Sequence, residues 1–239
     1  MPLPKISTPT YELVLPSSGK KVKYRPFLVK EEKILIMALE SEDTKQITSA
    51  IKTVLSDCIL SRGIKIDKLA TFDIEYLFLN IRGKSVGETV EVNVTCPDDG
   101  QTKVEMLIDI DSIKIQKDSN HSDIIRLDDN LSVQMNYPSL DQFIESNFDT
   151  SNNSQVDESL NVIMSCIKQV YNEEEAWEAS NCTKKELRDF VESMNSKQFK
   201  EVENFFETMP KLSHKVKVMN PNTKVESEVV IEGLASFFS

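Results

Sequence analysis

Imidazole is the commonest general base, and this 239-residue chain has only two histidines, His121 and His214. His121 sits in the polar run Asp118-Ser119-Asn120-His121-Ser122, which predicts a loop. His214 falls on the apolar phase of an alternating segment, where a hydrogen-bonded, half-buried ring is expected. Neither adjoins a serine or cysteine in a nucleophile motif, although a triad can be assembled from distant residues. The expectation is a non-enzyme with no catalytic residue.

Phosphate chemistry and metal chemistry have their own signatures. Backbone N–H groups approach a phosphate through closely spaced glycines, and the nearest pair here, Gly83 and Gly87, lacks the following Gly-Lys-Ser/Thr. No nucleotide or other cofactor is expected. A zinc knuckle would read Cys-Pro-x-Cys-Gly, with two thiolates at one tight turn. The chain has Cys96-Pro97-Asp98-Asp99-Gly100, with Asp99 in the second ligand position. Cys96 is thus the one weak metal candidate, half of a site with no second pair. It also continues the apolar phase of Val90, Val92 and Val94, which reads as packing.

Two patterns suit recognition instead. Glu173-Glu174-Glu175 and Glu178 surround the only tryptophan, Trp177. They read either as a solvated helix end or loop with the indole turned inward, or as a docking patch with an aromatic anchor and an acidic rim. Leu234, Phe237 and Phe238 are spaced as one face of a short terminal helix. That face packs either on the chain's own core or on a partner. The candidate partner-binding residues are Trp177, Glu174, Glu175, Leu234, Phe237 and Phe238. A basic stretch (Lys20, Lys21, Lys23, Arg25, Lys30) reads as a solvated edge hairpin protected against strand addition, or as a patch for an acidic partner.

The elements that must position these residues follow from periodicity. Tyr11–Leu15 and Lys21–Arg25 flank Pro16-Ser17-Ser18-Gly19 as a hairpin. Helical spacing follows, with Ile34, Met37 and Ala38 on one face, then Ile47, Ile51, Val54, Leu55, Cys58 and Ile59. Thr71 is a possible N-cap for a third helix carrying Ile74, Leu77, Phe78 and Ile81. Alternation then marks a hairpin through the Cys96 turn and a weaker one through Asp128-Asp129-Asn130. Ser139 with Gln142 fits a capping box ahead of Leu140, Phe143 and Ile144.

A long helix is expected to carry Leu160, Ile163, Met164, Ile167 and Val170. Thr183 with Glu186 forms a capping box for the next, and a third brings Phe199, Val202, Phe205 and Phe206. A last hairpin turns at Asn220-Pro221-Asn222-Thr223. Strands and helices do not alternate one for one, so the class is α+β, antiparallel hairpins combined with two groups of amphipathic helices. The expected division is an N-terminal α+β part over 1–148, a polar linker over 149–156, and a helical part over 157–239 closed by the last hairpin.

Composition narrows the class further. A formal net charge of −11 runs against duplex binding, which needs a dense basic surface, so no nucleic-acid partner is expected. No apolar run reaches the roughly 18 residues of a membrane span. The N-terminus lacks the apolar core of a secretory signal. Four widely separated cysteines (Cys58, Cys96, Cys166, Cys182) fit free thiols in a reducing cytoplasm.

Three stretches carry a family resemblance: PKISTPTYELVLPSSGKKVKYRPF from Pro4, continued by Leu28–Lys33; IEYLFLNIRGKSVGETVE from Ile74 with its Cys96-Pro97 hairpin; and the closing Ser196–Phe238, including KQFKEVENFFETMPKL and ESEVVIEGLASFF. Together they resemble the baseplate hub assembly protein family of T-even-type tailed phages, over nearly the whole chain. The resemblance implies a role in building the central hub of a contractile-tail baseplate in the host cytoplasm. Its partners would be other hub proteins, and the chain could also remain in the virion baseplate. It supplies no catalytic residue. Some members keep a Cys-x-x-Cys in the hairpin, and the departure at Asp99 puts metal binding in doubt here.

Overall fold

The computed structural model describes residues 6–41, 43–139 and 155–233 of the chain. Among these are six α-helices and eleven strands in small antiparallel sheets, an α+β fold. The chain divides into two compact units, one formed by Met1–Gln116 with Lys211–Ser239 and the other by Lys117–Pro210.

The first unit opens with a hairpin of β1 (Tyr11–Val14) and β2 (Lys21–Tyr24). Leu13, Val22 and Tyr24 face inward while Lys21 and Lys23 stay in water, as period-two alternation requires. Helix α1 (Val29–Glu40) starts where Glu31 accepts a hydrogen bond from the Leu28 amide at 2.8 Å. Helix α2 (Thr44–Cys58) buries Val54, Leu55 and Cys58, and its end is latched to β2 by Arg25 N–H on the Cys58 carbonyl. Helix α3 (Thr71–Val86) buries Ile74, Leu77, Phe78, Leu79 and Ile81. Its N-cap is Ala70, not the expected Thr71, which is already the first helical residue.

The hairpin of β3 (Thr89–Thr95) and β4 (Lys103–Asp109) follows. A three-stranded sheet in the order β11-β10-β5 combines β5 (Lys114–Gln116), β10 (Lys211–Met219) and β11 (Glu226–Glu232). Leu212, Val216, Val218 and Ile231 share one core with Val90, Val92, Val94, Cys96 and Leu79.

That pairing corrects the expected division. The last hairpin does not close the helical part; its Lys211–Ser213 pair with Lys114–Gln116, and its apolar phase fills the core of the first unit. The boundaries fall at 116/117 and 210/211 instead of 149–156. Of that expected linker, 149–154 lie outside the described residues, as do Leu140, Gln142, Phe143 and Ile144, and Gln155 begins a helix.

The second unit is a four-stranded antiparallel sheet, β6 (Ile124–Arg126), β7 (Ser132–Met135), β8 (Ile167–Tyr171) and β9 (Ala176–Glu178), in that order. It packs with α4 (Gln155–Cys166), α5 (Lys184–Glu192) and α6 (Ser196–Thr208) around Val133, Cys166, Val191, Val202 and Phe205. The long helix expected through Val170 stops at Cys166, and Ile167–Tyr171 forms a strand between β7 and β9. Ile163, Ile167 and Val170 fit helical spacing, but the β-branched Ile167 and Val170 also fill the slots beside Met135 and Val133, and cross-strand burial decides.

Candidate functional site

His121 is held by packing, not poised for proton transfer. Its Nδ1 lies 3.0 Å from Thr208 Oγ1 and its Nε2 3.0 Å from Tyr137 Oη. The ring stacks on Tyr137 and packs on Phe205, with centroids at 5.6 and 5.2 Å. The Thr208 hydroxyl already donates to the Asn204 carbonyl at 2.7 Å, so it accepts from Nδ1–H. Tyr137 then donates to Nε2, which fills the lone pair a general base would use. Burial, with Lys117 nearby, lowers the His121 pKa and keeps the ring neutral. His214 is half-buried on β10 opposite Ile231.

Burial governs three of the thiols as well. All four cysteines are free, and Cys58, Cys96 and Cys166 are buried. Burial pushes Cys58 up to about 11 and Cys166 up to about 12, so neither is a thiolate near neutrality. Burial and the adjacent Asp98 and Asp99 also raise Cys96.

The Cys96 turn contains a connection that sequence reasoning missed. Asp99 Oδ1 accepts from the Gln101 and Thr102 amides at 3.0 Å, closing the turn by local Asx chemistry. Asn220, fully buried in the turn of the last hairpin, donates through Nδ2 to Asp98 at 3.0 Å and Asp99 at 2.9 Å. Its Oδ1 accepts from the Asn222 and Thr223 amides, and Thr223 Oγ1 donates to Asp98. Hydrogen bonds from Thr223 and Asn220 hold Asp98 below the usual carboxylate range. Those from Thr102, Gln101 and Asn220 do the same for Asp99. The carboxylates thus clamp two hairpin tips together. Among the described residues, no three His, Cys, Asp or Glu side chains are grouped to hold a metal ion.

The recognition residues lie on the surface of the second unit. Asn172 Oδ1 accepts from the Glu174 and Glu175 amides at 2.9 and 2.6 Å, and Asn172 N–H donates to the Glu175 carbonyl. This turn points Glu173, Glu174 and Glu175 into water. Trp177 follows on β9, the edge strand, directly across from Val170. It is 43 % exposed and lies on a strand, not on a helix end; among the described residues β9 is the last strand on that side of the sheet. Glu178 is exposed beside it. The structure therefore brings Trp177, Glu174 and Glu175 together on one edge, while Leu234, Phe237 and Phe238 lie outside the described residues.

A second apolar surface lies on α1. Ala38 is buried, but Ile34 is partly open and Met37 is 60 % exposed, with Val29 and Ile36 also in water. The mixed charged and apolar sequence of α1 blurs which face is inward, so periodicity alone could not find this surface.

The chain matches the family described as T4 bacteriophage base plate protein over residues 8–239. No curated protein and no solved structure matches it. No described helix is long and apolar enough to cross a membrane. Covering all but the first seven residues, the match makes the chain a member of the T4 bacteriophage base plate protein family, with other baseplate proteins as its partners.

Proposed function

We propose that this chain assists assembly of the central baseplate hub of a contractile tail in the host cytoplasm, by binding hub subunits without catalysis. The observation that carries this reading is the edge strand on which half-exposed Trp177 stands next to the turn of Glu173, Glu174 and Glu175, with Glu178 exposed after it. An aromatic anchor with a charged rim is the composition of an interface hot spot. Glu174 and Glu175 form that rim, and Leu234, Phe237 and Phe238 are proposed as a further contact. The packed His121 and the protonated buried thiols support the non-enzymatic reading. An assembly factor of this kind favours one pairing by differential affinity while lowering the concentration of exposed interfaces. Mixed with purified hub proteins, the chain should elute in a complex on size exclusion. Elution alone beside every hub protein refutes the proposal.

A permanent place in the virion baseplate is the second reading, favoured by the family's description as a base plate protein. It predicts whole-number stoichiometry in finished particles.

A further inference from the structure

A positively lined cavity in the first unit has the complementary character to the Trp177 edge. It measures about 590 Å³ and lies beside α2 and the turn at Ile66–Lys68. Ile59, Ile64 and Ile66 give it an apolar floor, and Lys52, Lys65 and Lys68 line it as well. The one carboxylate in the lining, Asp67, is paired with Lys52 at 3.2 Å. An adjoining cavity of about 240 Å³ shares Ile64, Lys65 and Lys68 and adds Lys20. Lys65 and Lys68 are exposed, so their ammonium groups are open to carboxylates arriving from outside. In a chain of net charge −11 this is a local reversal of sign.

We propose that two copies of this chain associate head to tail, with the Trp177 edge of one seated in the lysine-lined cavity of the other. Trp177 is 43 % exposed, so seating its indole removes somewhat under half of an aromatic side chain's roughly 150–250 Å² from water. Glu173, Glu174 and Glu175 are the exposed carboxylates of the turn that leads into its strand, and Lys20, Lys65 and Lys68 are the cations that meet them. The cavity has the size of a typical small-ligand site, roughly 300–1,000 Å³, which accommodates an indole. Because the two patches differ, the contact is heterologous and propagates into a ring or an open chain. The inference rests on the Trp177 edge being a contact surface, as in the proposed function, and its first readout is the association of this chain with itself.

The test is light scattering coupled to size exclusion of the full chain, over a range of protein and salt concentrations. Wild type should exceed the monomer mass as concentration rises, and association should weaken with salt. The double variants Lys65→Glu/Lys68→Glu and Glu174→Lys/Glu175→Lys, all at exposed positions, should each self-associate at least ten-fold more weakly with unchanged circular dichroism. Mixing the two should restore association, since a reversed cavity then meets a reversed edge. A monomeric wild type, or a mixture that fails to associate, overturns the proposal. So does a monomer whose cavity variant loses binding to another baseplate protein, because that protein is then the occupant. These outcomes leave the hub-binding reading standing, whereas its own failure is seen only with hub proteins present.

Discussion

Glu31 carries its charge with none of its side chain exposed. Burial alone would raise its pKa, but Arg25 at 2.8 Å, the Leu28 amide at 2.8 Å and Lys30 at 3.1 Å hold it down to about 2. The unfolded chain takes up that proton near the ordinary 4.5, so the native state is favoured above it. This contribution is complete above roughly pH 5 and is lost as pH falls through 4.5 towards 2. Glu31→Gln should therefore cost about 3 kcal/mol in urea unfolding at pH 7 and give a shallower loss of stability in acid. At the tips of two hairpins, Asn220→Ala should cost about 1–3 kcal/mol by thermal unfolding, because Asp98 and Asp99 lose a buried donor. Neither contact was legible in the sequence in the same degree. Glu31 lies six residues from Arg25, whereas Asn220 lies 122 from Asp98, and no local pattern encodes a clamp between distant turns.

Local chemistry decides the elements where it is strong. Thr183 and Glu186 form the capping box their spacing announces, and Asn195 with Gln198 repeats it at α6. Thr183→Ala should destabilise the second unit by about 1 kcal/mol, read from the denaturation midpoint. Where local chemistry is ambivalent, long-range pairing wins. Ile167 and Val170 continue the stripe of α4, yet they become β8 because without it β9 has no strand to pair with and one edge of β7 stays open. The same event put Trp177 on an edge strand and not on a helix end. The residue was visible as a candidate in the sequence, but its exposure depends on which strand comes last in the sheet.

The whole chain is organised by the return of its last hairpin to the first unit. The second unit is continuous over 117–210, so a fragment of that span should unfold cooperatively by circular dichroism on its own. Residues 1–116 alone lack Leu212, Val216, Val218 and Ile231 from their core and should show no cooperative transition. Hydrophobic alternation revealed the last hairpin but not its destination, since the strands of β5 and β10 are separated by an entire unit. Family membership fixes the setting as the baseplate, and assembly of the hub is the role proposed for the chain there. Quantitative mass spectrometry of hub assembly intermediates and finished baseplates measures this directly. An assembly factor is found in the intermediates and only in traces in finished particles; a fixed whole-number copy number in the finished baseplate would contradict that role.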